Sequence, residues 1–216
     1  MTRNTVLFDL GGVVLGSPLH AIRDYERELG FERNAINLVA ARTAPSGAWS
    51  RLERGELEME KFYGAFEEDC LAAGLVMDAR EMMFRMSAAT EPRPVMLTAI
   101  AQLRRAGYRV GALTNNWAHT DDDGKNDGTR ALRELFDVFI ESSVEGLRKP
   151  DPAIYRLACD RLDSTPERMV FLDDIGPNLK PARAMGMATI KVDEPEPAII
   201  ELEAILDLQL RPDASA

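Results

Sequence analysis

The first hydrophobic feature of the chain is the run Val6-Leu7-Phe8, which reads as a strand buried on both faces. Leu19, Ile22, Tyr25 and Leu29 then fit one helical face, with Gly30 as its stop. Helical texture continues to about Thr90. Ile36, Leu38 and Val39 belong to one segment, and Leu57, Met59, Phe62, Tyr63, Phe66 and Leu71 to a second. Met82, Met83 and Met86 belong to a third. No strand pattern interrupts them, and their methionine and aromatic stripes predict helix–helix packing.

At Glu91-Pro92-Arg93-Pro94 the texture changes. Pro94 suits a first helical turn, Leu97, Ile100, Ala101 and Leu103 form the next apolar face, and Gly107 ends it. Strands and helices then alternate. Strands are predicted over Tyr108–Leu113, Asp137–Glu141, Met169–Leu172 and Ala188–Val192. Helices are predicted ending near Leu132 and Leu135, over Ile154–Leu162, over Leu179–Met185 and from Pro197 onward. Asp151 caps the second of these with Pro152 at its first position. Arg211 to Ala216 reads as a frayed tail.

Alternation of this kind implies a parallel sheet with helices on both faces. The expected fold is therefore α/β: a doubly wound parallel-sheet core, residues 1–15 and 92–216, split by an inserted all-helical cap, residues 16–91. The insertion is far longer than an ordinary loop.

Composition narrows the chemistry. A net charge of -10 over 216 residues argues against a nucleic-acid binder, which needs a basic face, but leaves room for a small anionic substrate in a locally positive pocket. No apolar run approaches the ~18 residues of a membrane span. No leader pattern precedes Val6, so a cytoplasmic location without membrane contact is expected. Cys70 and Cys159 lie far apart in helical patterns and read as buried free thiols. His20 and His119 are the only histidines and there is no Cys-x-x-Cys. Zinc binding and histidine-based nucleophilic catalysis are both disfavoured. Carboxylates are left to do the work.

Four predicted strands end in polar residues: Asp9, then Thr114-Asn115-Asn116, then Ser142-Ser143, then Asp173-Asp174. In a parallel sheet these ends share one edge, where open α/β sheets bind ligands. Asp9 and Asp174 converging there would repel each other without a cation between them. An all-oxygen site with few carboxylates suits Mg²⁺ together with phosphate. Lys149 adds a positive point charge, Thr114 a hydroxyl, and Asn115 an amide or backbone N–H. Phosphoryl transfer needs mainly such positioning and neutralisation. Asp9 could then act as nucleophile and form an aspartyl-phosphate.

The order of these motifs resembles the haloacid-dehalogenase-like (HAD) hydrolases over nearly the whole chain, cap included. Phe8-Asp9-Leu10-Gly11-Gly12-Val13 looks like the first motif of that family, Leu113-Thr114-Asn115-Asn116 the second, Lys149-Pro150-Asp151-Pro152 the third and Phe171 to Leu179 the fourth. Within the family the likeness runs to the N-terminal phosphatase-like domain of soluble epoxide hydrolases and to the HAD-type domain fused to some acyl-CoA dehydrogenases. Phe136 to Ser142 and Leu179-Lys180-Pro181-Ala182-Arg183 strengthen it.

The resemblance implies a HAD-like Rossmannoid core and a Mg²⁺-dependent phosphatase acting on a small phosphorylated metabolite. Asp9 would be nucleophile and metal ligand, Asp174 the second side-chain ligand and the Gly11 carbonyl a third. Asp173 would orient water on the metal, and Asn178 would add a hydrogen bond behind the ligands. Thr114, Asn115 and Lys149 would hold the phosphoryl group.

One position departs from the pattern. Phosphatases of the family usually carry a second aspartate two residues after the nucleophile, where this chain has Gly11. General acid–base help is worth roughly 10²–10⁴-fold. The expectation is a slow phosphatase, one limited to good leaving groups, or one in which a cap residue supplies the proton. A 2-haloacid dehalogenase acting on a halogenated metabolite is the alternative, since halide needs no proton; Asp173-Asp174 argues against it. A catalytically weak phosphate- or metal-binding module is a third reading. Monomer and homodimer both remain open. Asp121 to Gly128 looks like a calcium loop, but Lys125 occupies a ligand position and no helix pair flanks it. A solvated loop is expected there, with Trp117 and His119 near the cap or substrate. Arg42, Trp49, Arg51 and Arg54 are further cap residues that could meet a substrate.

Overall fold

Strand β1, Thr5–Phe8, lies at the centre of a parallel sheet in a computed structural model that describes residues 2–117 and 132–211. Its neighbours are β2 (Arg109–Thr114) and β4 (Met169–Asp173). β3 (Val138–Glu141) and β5 (Ala188–Lys191) form the edges, giving the order β3-β2-β1-β4-β5. Phe8 lies level with Ala112 on one side and Leu172 on the other.

The strand period of two divides β1 between two hydrophobic layers. Val6 and Phe8 pack with Ile100 and Leu103 of α6 (Pro94–Arg105) and with Ile199 and Leu202 of the C-terminal helix Pro195–Leu206. Leu7 faces the other way, toward Ile154 and Ala158 of helix Pro152–Arg161 and Leu179 of helix Gly176–Met185. Asp151 caps the first of these, accepting from the Ala153 N–H at 2.8 Å. The last helix begins at Pro195, a proline-initiated turn two residues before the expected start at Pro197.

Between β1 and α6 lie α1 (Pro18–Glu28), α2 (Ala35–Arg42), α3 (Ala48–Glu53), α4 (Met59–Ala72) and α5 (Ala79–Ala88). They share their own cluster, with Ile22, Phe62, Phe66, Met82 and Met86 buried. The chain leaves and returns side by side: Leu15 bridges Pro92, and the Gly16 N–H donates to the Glu91 carbonyl at 2.8 Å. The short α3 has no counterpart among the predicted segments, because six residues are too few to show a helical period. Leu38 and Leu71, expected on apolar faces, are 47% and 62% exposed. Cys70 and Cys159 are buried free thiols. The calcium-like stretch Asp121–Gly128 and His119 fall outside the described residues. No described helix is long and apolar enough to cross a membrane.

Candidate active site

The chain winds from β1 to β2 and β3 on one side, then crosses to β4 on the other. The switch point is therefore between the carboxyl ends of β1 and β4, where such sheets open a crevice. Asp9 follows β1, and its N–H donates to the Leu172 carbonyl of β4 at 2.9 Å. Asp173 ends β4 and Asp174 follows it. One oxygen from each of the three carboxylates lies within 4.8 Å of the others.

Lys149 reaches this cluster from the loop before helix Pro152–Arg161. Its ammonium is 2.8 Å from Asp9 Oδ1 and 2.7 Å from Asp173 Oδ2, and it donates to the Leu113 carbonyl at 3.0 Å. Three acceptors meet three N–H groups, so a side chain only 1% exposed is fully satisfied. Burial pulls the lysine pKa down, but Asp173 and Asp9 outweigh it and leave the value raised. Asp9 Oδ1 also accepts from the Leu10 N–H at 2.8 Å, so Oδ2 is the oxygen left for chemistry. Burial, with help from Asp173 and Asp174, raises the Asp9 pKa against the pull of Lys149.

Asp173 is 0% exposed and its oxygens are occupied. Oδ1 accepts from the Ile175 N–H at 2.7 Å, and the Asn178 amide lies 3.1 Å from both oxygens. Asn178 is held in turn by Tyr155, whose hydroxyl donates to the Asn178 carbonyl at 2.6 Å. Asp173 thus orients Lys149 and Asn178.

Asp174 differs. Its Oδ1 is buried with no hydrogen-bond partner among the described residues, and Ser17 Oγ is 3.5 Å from Oδ2. Burial, then Asp173, pushes its pKa up to about 6. A buried, unpartnered carboxylate oxygen beside two more carboxylates and one lysine is short of positive charge. This donor set fits a hard divalent cation. Gly12 makes the approach possible. Its φ is +80°, and a Cβ there would fall 2.1 Å from Asp174 Oδ2. At Gly11 a Cβ would meet nothing closer than Pro18 Cδ at 3.5 Å, so the missing carboxylate is a matter of sequence and not of crowding.

Thr114 and Asn115 stand at the end of β2. Thr114 is buried, with its hydroxyl 3.4 Å from the Asn115 carbonyl. The Asn115 side chain pairs with the backbone of Lys149 on both sides. Its Oδ1 accepts from the Lys149 N–H at 2.9 Å and its Nδ2 donates to the Lys149 carbonyl at 3.0 Å. Its amide therefore fixes the lysine, leaving the backbone N–H as its means of contacting a ligand.

Two participants had no role assigned from sequence. Arg93, just before α6, donates to the Gly12 carbonyl at 2.9 Å. Glu53, the last residue of α3, is buried against Arg148 and Asn115. Burial raises the Glu53 pKa and Arg148 draws it back. Nothing local marks Arg93 or Glu53, since each acts through residues distant in sequence. Among the other candidates, Trp49 donates to Glu53 Oε1 at 3.0 Å, Arg54 pairs with Glu56 at 2.6 Å, and Arg42 is exposed. A cavity of about 180 Å³ borders Gly12 and Asp174, walled in part by Ser17, His20, Arg23 and Arg93.

The family model for haloacid dehalogenase-like hydrolases matches residues 4–186. The chain belongs to that family. The hydrolase is 37% identical to mouse acyl-CoA dehydrogenase family member 10 over 95% of its own length and 19% of the relative's. It is 34% identical to pig bifunctional epoxide hydrolase 2 over 97% of its own length and 40% of the relative's. The chain thus spans about a fifth and two fifths of these proteins. In fold, the hydrolase superposes with a TM-score of 0.62 on a HAD family enzyme from Bacteroides thetaiotaomicron, crystallised with magnesium and inorganic phosphate. That match has 17% identity and covers 91% of this chain and 98% of the other.

Proposed function

We propose that this HAD-like hydrolase is a Mg²⁺-dependent phosphatase for small phosphorylated metabolites, working through an aspartyl-phosphate at Asp9. The unpartnered Asp174 Oδ1 within the three-carboxylate cluster carries the reading, because dehalogenation has no use for such a group. Asp9, Asp174 and the Gly11 carbonyl would hold the cation. Bound there, it would neutralise the carboxylates and the phosphoryl oxygens.

Asp9 Oδ2 attacks phosphorus as the bond to the leaving oxygen breaks. Lys149 holds Oδ1 and so orients the attacking oxygen. The Thr114 hydroxyl and the Asn115 N–H steady the transferring group. No side chain at Gly11 protonates the leaving oxygen, so it departs as an anion or takes a proton from water. Water then attacks phosphorus, breaks its bond to Asp9, and yields inorganic phosphate and the free carboxylate. The helices of residues 16–91 serve as a cap over this edge, and the cavity beside Arg23 and Arg93 receives the leaving group. Arg23, Arg93 and His20 line it together with Asp193 and Glu194, a mixed-charge wall that suits a polar metabolite.

Hydrolysis of an aryl phosphate with Mg²⁺, abolished by EDTA and by Asp9→Asn, is the expected result. EDTA-resistant release of halide from a 2-haloacid would establish the dehalogenase alternative. Phosphate and Mg²⁺ binding without turnover would leave a binding module.

A further inference from the structure

Glu53 is a buried carboxylate, 6% exposed, that the proposed reaction does not use. It belongs to the helical layer but lies against the core. Oε1 accepts from Trp49 Nε1 at 3.0 Å. Oε2 accepts from Arg148 Nε at 2.5 Å and from Asn115 Nδ2 at 3.3 Å. Three donors on two oxygens make Glu53 an acceptor. It is therefore poorly suited to replace the acid missing at Gly11.

Its partners lead directly to the lysine. Arg148 is the residue before Lys149, and Asn115 grips the Lys149 backbone through both its N–H and its carbonyl. A second contact lies beside the first. Gly55 has φ +68°, and a Cβ there would sit 2.4 Å from the Ser143 carbonyl of the core. The α3 end is thus seated closely on the short helix Ser142–Glu145, which leads into the loop that carries Lys149.

We propose that Glu53 is a positioning residue. By holding Arg148 and Asn115 it sets the Lys149 ammonium between Asp9 and Asp173, so the lysine is correctly placed only while the helical layer is seated on the core. This inference rests on the phosphatase reading for its kinetic consequence but not for its structural one.

The test compares Glu53→Gln, Arg148→Met and the double variant by kcat and KM on an aryl phosphate, and by crystal structures. Arg80→Gln serves as control, since it breaks an exposed ion pair with Glu60 in the same helical layer. Each site variant should lower kcat at least tenfold with less than a threefold change in KM. The double variant should be no worse than the poorer single one, because both act on one network. The control should match the wild type. In the Glu53→Gln crystal, Lys149 should lose its contact with Asp9 or Asp173. Unchanged kcat in a folded Glu53→Gln enzyme, or losses that multiply in the double variant, would overturn the proposal. If the wild type itself lacks phosphatase turnover, the function reading fails, and the crystal decides this one: Lys149 unmoved rejects it. Should Glu53→Gln not fold, Arg148→Met carries both readouts.

Discussion

Gly12 and Asp174 approach each other so closely that a single methyl group on the glycine would overlap the aspartate oxygen, at 2.1 Å. The positive φ of Gly12 adds a second penalty, about 1–2 kcal/mol for a residue with a Cβ. Gly12→Ala should therefore displace Asp174 and weaken Mg²⁺ binding at least tenfold, read by calorimetric titration of the metal alone. Unaltered affinity would mean that Asp174 is not a ligand.

Gly11 predicts the opposite outcome. Room for a Cβ and an ordinary φ mean that Gly11→Asp should fold normally. A carboxylate there could supply general acid–base help of up to roughly 10²–10⁴-fold. The ratio of kcat/KM for alkyl over aryl phosphates should rise, since only the alkyl leaving group needs the proton. An unchanged ratio would count against a missing acid as the limit on this enzyme.

Lys149 neutralises two buried carboxylates at 2.7 and 2.8 Å. Replacing it with methionine leaves them uncompensated, at a cost of about 3–5 kcal/mol. Denaturant unfolding should show that loss, together with loss of turnover. Stability close to that of the wild type would mean that Lys149 does not balance the charge of Asp9 and Asp173.

Asp174 carries a cost that metal binding would relieve. Its pKa of about 6 implies a destabilising charge at pH 7 without metal, worth about 1–3 kcal/mol. Asp174→Asn should raise the melting temperature in EDTA and abolish the further rise that Mg²⁺ brings to the wild type. Thermal scans with and without Mg²⁺ read both effects.

The two thiols set a pH limit. Burial pushes Cys70 up to about 12 and Cys159 up to about 11, from an ordinary value of 9.0. The folded state holds these protons more tightly than the unfolded state. Their contribution to stability is complete below pH 9 and is lost as pH rises through 11 to 12. Thiol reagents at pH 8 should react only as fast as the protein opens. Rapid labelling of the native enzyme would show that the thiols are accessible.

Much of the architecture is local and therefore readable. Apolar runs such as Val6-Leu7-Phe8 and Met169-Val170-Phe171-Leu172 announce buried strands because a central parallel strand needs apolar side chains on both faces. Asp151-Pro152 announces a helix start because cap and proline act within one turn. The strand-end residues Asp9, Thr114 and Asp174 follow from the same pattern, since a parallel sheet brings every such end to one edge. Leu71 misleads because a helical face says nothing of whether another element covers it.

Pairing across distance is another matter. Glu53 meets Arg148 across 95 residues, and no spacing in the chain encodes that contact. Asn115 reads as a phosphate contact from its motif, yet its amide is spent on the Lys149 backbone. Gly11 and Gly12 are adjacent glycines in the sequence, but a Cβ on the first would rest in ordinary contact with Pro18 and one on the second would strike the Asp174 carboxylate. Chain order and polarity suffice for the sheet and for which residues gather at its edge. The assembled packing settles which oxygen lies unpartnered among the described residues, which glycine abuts a carboxylate and which helix end meets Arg148 beside the lysine. Those properties depend on which atoms of distant segments come within bonding distance, and local sequence preferences act over only a few residues.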